Sequence, residues 1–284
     1  MKPATAHYLQ VQDATVKYWR YHHESRPTIV MVHGFRGDHH GLEYITRALP
    51  YVRVIIPDLP GFGASGPFMT REHNVENYVA FLKEFIEKLA LPMPPILLGH
   101  SFGSIIAAEF AATYPEALDK LILINPIASP PLKGKKTALA KLTNLYYWLG
   151  GKLPEHAGKA LLRNKSIVLA MSAVLTKSRD KALRARSHSN HLSYFSSFAS
   201  RRVVLESYQA STSKNVADHA HSIVTPTLLI AGELDDIAPA QHQKILKEKL
   251  PNARLMILDG VGHLVHYEAP EKAAEAIEEF IRSA

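Results

Sequence analysis

The sequence predicts an α/β fold, with a mostly parallel central sheet carrying helices on both faces. Three observations point there. Short apolar runs recur without polar alternation, which is how strands buried on both faces of a parallel sheet read. Amphipathic helical patterns fall between those runs. The alternation pauses once, from about Ser129 to Thr225, and then resumes. An interval of that length between two strands of one sheet forms a cap and not an ordinary loop.

In chain order, residues 7–21 read as a short hairpin turning near Asp13-Ala14. Residues 28–32 are an apolar run ending at His33-Gly34, and residues 52–56 are another. Residues 75–89 place Val75, Val79, Leu82, Phe85, Ile86 and Leu89 at helical spacings. A strand at 95–98 precedes a helix at 105–114, and the sixth strand follows at 121–124. Residues 129–221 are expected to form a helical, basic cap. There Leu139, Leu142, Leu145, Tyr146 and Leu149 make one stripe, and residues 167–175 make a second helical candidate. Strands at 227–230 and 255–258 and helices at 241–250 and 270–281 complete the pattern. Residues 1–128 and 222–284 thus form the core.

Composition narrows the function classes. The chain has 284 residues, 46% hydrophobic and 21% charged, which excludes wholesale disorder. With no cysteine it has no disulfide, thiolate metal site, iron–sulfur cluster or cysteine nucleophile. The longest stretch free of Asp, Glu, Lys and Arg, residues 89–108, is broken by Pro92, Pro94, Pro95 and Gly99, unlike a membrane span. No apolar core of signal-peptide length follows Met1, so a cytoplasmic address is expected.

Net charge is +7 but uneven: between Ser129 and His221, 16 Lys and Arg face four Asp and Glu. The plainest reading is a solvated helical surface; weak contact with an anionic membrane surface and steering of an anionic substrate are the alternatives. Nucleic acid is not expected, because no phosphate loop, zinc-finger spacing or aromatic RNA-binding signature accompanies the charge.

Gly99-His100-Ser101-Phe102-Gly103 carries the chemistry. A strand leads in and a helix leads out, so Ser101 sits on a sharp bend that lifts its hydroxyl off the sheet. Small neighbours are needed there. A serine hydroxyl needs a base, and an imidazole base needs a carboxylate to orient it. Two late loops supply both types: Gly232-Glu233-Leu234-Asp235-Asp236-Ile237-Ala238-Pro239 and Gly262-His263-Leu264-Val265-His266-Tyr267-Glu268.

At these residues the chain resembles the α/β-hydrolase superfamily. The likeness spans nearly the whole chain, from His33-Gly34-Phe35 and Asp58-Leu59-Pro60-Gly61-Phe62-Gly63 to the serine bend, the cap and both late loops. It implies an α/β-hydrolase fold with a cap after the sixth strand, and a triad of Ser101, Asp235 and His263 in the family's order. Asp235 is preferred to Asp236 because it lies four positions before Pro239, and His263 to His266 because it follows Gly262. The resemblance assigns the oxyanion hole to the backbone N–H groups of Phe35 and Phe102. His33 and Asp58 are expected to brace loops around the site, without chemical roles. The other histidines, His22-His23 and His39-His40 included, are expected at the surface or in packing. No metal or cofactor is expected, on the ground that no acidic residue completes a metal site with them.

The implied activity is that of a carboxylesterase acting on a small-molecule ester through an acyl-Ser101 intermediate, with small to medium acyl groups in an apolar cap pocket. A carbon–carbon bond hydrolase shares fold and triad. Its relatives carry Gly-Asn-Ser at the bend, where His100 stands here, and a tryptophan after the triad histidine, where Leu264-Val265-His266 stands. A lipase or lysophospholipase at anionic lipid surfaces and a catalytically silent ligand receptor are further alternatives. Activity is expected to fall below roughly pH 6, since an imidazolium cannot accept the serine proton.

Overall fold

The structure, a computed structural model, describes residues 4–22, 27–129 and 137–283, without the side chains of 137–139. His23 and the Leu139 side chain therefore lie outside the described residues. Strands β1 (Thr5–Val11), β2 (Ala14–Tyr21), β3 (Thr28–Val32), β4 (Arg53–Pro57), β5 (Ile96–His100), β6 (Leu121–Ile124), β7 (Thr227–Gly232) and β8 (Ala253–Leu258) form one sheet in the order β1-β2-β4-β3-β5-β6-β7-β8. The β1–β2 and β2–β4 pairs are antiparallel and every other pair is parallel.

The apolar runs bury both faces of this sheet. Val30, Val32, Leu97, Leu121, Leu123 and Leu229 enter one core. Their neighbours Ile29, Met31, Ile96, Leu98, Ile122, Ile124 and Ile230 enter the other. Period-two side-chain direction combined with uninterrupted hydrophobicity produces this division. Helices α2 (Val75–Lys88), α3 (Phe102–Thr113) and α9 (Ala240–Lys249) contribute to the first core, and α1 (His39–Arg47), α10 (Val265–Glu268) and α11 (Pro270–Arg282) to the second.

Helix α3 starts three residues before the sequence pattern suggests. The bend at Ser101 is itself the N-cap, so helical backbone begins at Phe102. Between β6 and β7 lie α4 (Thr137–Lys152), α5 (Glu155–Leu162), α6 (Lys165–Leu175), α7 (Lys181–Tyr194) and α8 (Arg201–Ser213). Asn164, Asp180 and Ser200 cap the last three, each side chain accepting backbone N–H bonds from the first turn. These helices are tied to the loops after β4 and before α2. Gly63 N donates to Ser197 O at 2.8 Å, Ala199 N to Gly61 O at 2.9 Å, and His73 N to Glu206 Oε2 at 2.9 Å.

Candidate active site

The bend after β5 exists because its neighbours are glycines. A Cβ on Gly99 would lie 2.3 Å from Gly103 O, and one on Gly103 would lie 2.3 Å from Val32 O. Any larger residue would push β5, α3 and β3 apart. Ser101 itself takes φ 51°, in the left-handed region that side chains other than glycine occupy only under constraint. Its N–H is held by Ile124 O at 3.0 Å.

Three loops at strand ends bring Ser101, His263 and Asp235 together. His263 Nε2 is 2.8 Å from Ser101 Oγ, and His263 Nδ1 is 2.7 Å from Asp235 Oδ2. Asp235 is buried and accepts further bonds at Oδ1 from the Ile237 and Ala238 amides, at 2.7 and 2.9 Å. Burial pushes its carboxyl up. The adjacent His263 and the two amides outweigh that and hold it below the usual carboxylate range. An ionised Asp235 can only accept, so Nδ1 of His263 carries the proton and the Nε2 lone pair faces the serine hydroxyl. Asp236 turns the other way, to Lys177 Nζ at 2.8 Å.

Sequence reasoning missed Asn125. Its Nδ2 donates to Asp235 Oδ2 at 2.7 Å, and its backbone adopts φ 45° just after β6. An Asn-Pro pair closing an apolar strand signals a turn, but neither the positive φ nor the acid that the side chain meets is announced locally.

The amides of Phe35 and Phe102 have no backbone or side-chain acceptor among the described residues. Gly34 lets the first of these loops approach: a Cβ there would be 3.1 Å from His100 Nδ1 and 3.3 Å from Ser101 Cβ. His33 and Asp58 lock the surrounding backbone. His33 Nε2 accepts from Leu59 N at 2.9 Å, and Asp58 accepts from His39 N and Ala64 N at 2.9 and 2.8 Å.

A cavity of about 800 Å³ opens beside Ser101. One side is apolar and comes from helices α4 and α6, with Tyr146, Tyr147, Ile167, Met171, Val174 and Leu175. Another side holds histidines. His100 is buried, donates through Nε2 to His263 O at 3.2 Å, and has its pKa pushed down to about 3 by burial and the adjacent His263. His266 packs edge-on against it with ring centroids 4.3 Å apart, also buried and held well below the ordinary imidazole range. Both are therefore neutral.

Arg36, in the loop after β3, is fully buried without a carboxylate partner among the described residues. Its Nε donates to Phe195 O at 3.1 Å and Nη2 to Leu162 O at 2.6 Å, while Nη1 lies 3.4 Å from the hydroxyls of Tyr146 and Tyr147.

One expectation needs correction. Asp38 does accompany His39 and His40, and single ligand atoms of the three lie within 4.8 Å of one another. Asp38 is the α1 N-cap, and its side chain folds back to accept the His40 amide. Each imidazole Nδ1 is engaged internally, His39 with Asp58 at 2.9 Å and His40 with Asp38 at 3.0 Å.

An eight-stranded, mostly parallel sheet with a strained serine bend after β5 and a helical insertion after β6 defines the α/β-hydrolase class. The family model described as alpha/beta hydrolase fold matches residues 27–270, and the chain belongs to that family. It is similar to Lipase 1 of Psychrobacter immobilis, 25% identical over 260 residues that cover 89% of this chain and 76% of that one. It is also similar to the uncharacterized hydrolase YugF of Bacillus subtilis, 29% identical over 283 residues and 96% of each chain. The solved structure of an esterase from Exiguobacterium antarcticum superposes with a TM-score of 0.80 at 20% identity, covering 98% of this chain and 100% of that one, a likeness of fold. Among the described residues no helix is long and apolar enough to cross a membrane.

Proposed function

We propose that the protein hydrolyses carboxylic esters through an acyl-Ser101 intermediate. The observation that carries this is the unbroken contact chain from Ser101 Oγ through His263 to Asp235, with spacings of 2.8 and 2.7 Å. The lipase among its relatives and the esterase among its structural neighbours support the substrate class.

In this reading His263 Nε2 takes the Ser101 proton as Oγ attacks the ester carbonyl. The carbonyl oxygen becomes an oxyanion, received by the Phe35 and Phe102 amides. Asp235 stabilises the imidazolium without taking its proton. Collapse of the tetrahedral intermediate breaks the C–O bond, and His263 returns the proton to the leaving alkoxide. Water then adds to the acyl-Ser101 ester with His263 again as base, releasing the acid and regenerating the serine.

The apolar cap wall receives the acyl group. A cavity of about 800 Å³ is roomy for a short acyl chain, so we extend the expected range to longer ones. A panel of p-nitrophenyl esters of increasing chain length tests this. Turnover is expected, with kcat/KM rising beyond butyrate and falling by roughly 10³-fold or more in Ser101→Ala. Turnover of a vinylogous diketone with none of any ester would move the reading to carbon–carbon hydrolysis.

A further inference from the structure

Helix α4 faces two environments. Ala140, Thr143, Tyr146 and Tyr147 line the cavity. On the other side Leu142, Leu145, Trp148 and Leu149 are 62%, 48%, 57% and 37% exposed. Of the sequence stripe, Tyr146 turns into the cavity and Leu142 reaches its rim, while Leu145 and Leu149 face outward. At 3.6 residues per turn the four exposed apolar side chains share about a third of the helix circumference with Lys141 and Lys152. The helix has no acidic residue. Solvated surface helices do not present a tryptophan and three leucines side by side, and contiguous apolar faces of this kind mark interaction sites.

We propose that this face of α4 docks the cap on an anionic lipid surface. The leucines and Trp148 would enter the headgroup–acyl boundary, and the two lysines would meet lipid phosphates, the arrangement of an interfacial amphipathic helix. The charge of the cap singles out this occupant. With 16 Lys and Arg against four Asp and Glu between Ser129 and His221, the cap is attracted to an anionic bilayer and repelled by a second copy of itself. Leu142 belongs to both the exposed face and the cavity lining, so the docked face reaches the cavity rim. An ester whose chain lies in the membrane then enters next to Ser101. Docking stands on the α4 face and the basic charge around it; only this last consequence rests on the proposed esterase activity.

The test is co-sedimentation of the full chain with phosphatidylglycerol and with phosphatidylcholine vesicles. A variant carrying Leu145→Glu and Trp148→Glu, neither of which lines the cavity, is measured alongside, with hydrolysis of a soluble short-chain ester as control. Binding is expected to favour phosphatidylglycerol, and to weaken between about 0.1 M and about 1 M salt as the screening length shrinks from about 10 Å to about 3 Å. Tryptophan emission should shift to the blue on binding. The variant should partition on the order of a hundredfold less while keeping soluble-ester turnover. Absence of binding to either vesicle, binding indifferent to lipid charge and salt, unchanged binding by the variant, or a concentration-dependent dimer that shields Trp148 would each overturn the proposal. Vesicle binding without turnover of any ester would sink the esterase reading and leave docking intact.

Discussion

At the scale of single residues, the acid of the contact chain is positioned by more than its loop. Asp235 has four partners, and Asn125 Nδ2 is the one that shares Oδ2 with His263. Asn125→Ala removes that donor from a buried carboxylate and puts alanine at φ 45°, where asparagine is tolerated far better. The expected loss is about 2–4 kcal/mol in urea unfolding, with kcat reduced about tenfold. Asn125→Asp keeps the shape but sets a second carboxylate against Asp235. It should depress kcat further than alanine does and shift the acid limb of the pH profile upward, since one of two adjacent carboxylates is held protonated. Equal kcat in wild type and both variants would remove Asn125 from the site. The position was not readable in the sequence because its partner lies 110 residues away. Ser101, Asp235 and His263, by contrast, sit in local patterns whose glycines answer to close backbone approaches such as Gly99 to Gly103.

At the scale of elements, Arg36 fastens the helices inserted between β6 and β7 to the loop that carries the Phe35 amide. Its acceptors Leu162 O and Phe195 O lie at the C-terminal ends of α5 and α7, where helix dipoles are negative, so a buried guanidinium is stabilised without a carboxylate. Arg36→Met leaves Phe195 O without its side-chain donor and Leu162 O with the Tyr146 hydroxyl alone, at 3.0 Å. We expect a loss of about 3 kcal/mol and faster tryptic cleavage within the cap than within the core. Cleavage at wild-type rates would contradict the tether. A second tie comes from Glu268, which accepts the Lys177 amide at 3.1 Å through Oε2 and the Gly262 amide at 3.2 Å through Oε1, joining cap to histidine loop. The strands and α2 could be read from periodicity because burial dictates their sequence. Helix α7 could not. Its stretch KALRARSHSNHLSY buries little beyond Ser187 and His191, so no apolar stripe announces it, although Asp180 supplies a cap signal.

At the scale of the whole molecule, buried neutral histidines make the fold acid-sensitive. His100 is lowered to about 3, His73 and His191 to about 4, and His266 well below its ordinary value, each chiefly by burial. Unfolded, these groups titrate near pH 6.5. Between about pH 6.5 and about pH 4 the unfolded chain therefore binds protons that the folded chain refuses, and stability falls as pH drops, by up to about 1.4 kcal/mol per pH unit per histidine. Asp235, lowered in the folded state, adds a further loss as pH falls past the ordinary carboxylate range. Urea unfolding should thus give a stability several kcal/mol lower at pH 5 than at pH 7, and His266→Phe should flatten the slope by about one proton. A flat profile between those pH values would show that these histidines are already charged in the fold.

The central claim is covalent chemistry at one hydroxyl. Rapid mixing with p-nitrophenyl butyrate, acid quenching and peptide mass mapping tests it most directly. The account predicts an acyl adduct on Ser101, formed with about one equivalent of released nitrophenol and absent from Ser101→Ala and His263→Ala. Ester hydrolysis that proceeds with the adduct elsewhere, or at an undiminished rate in Ser101→Ala, would contradict it.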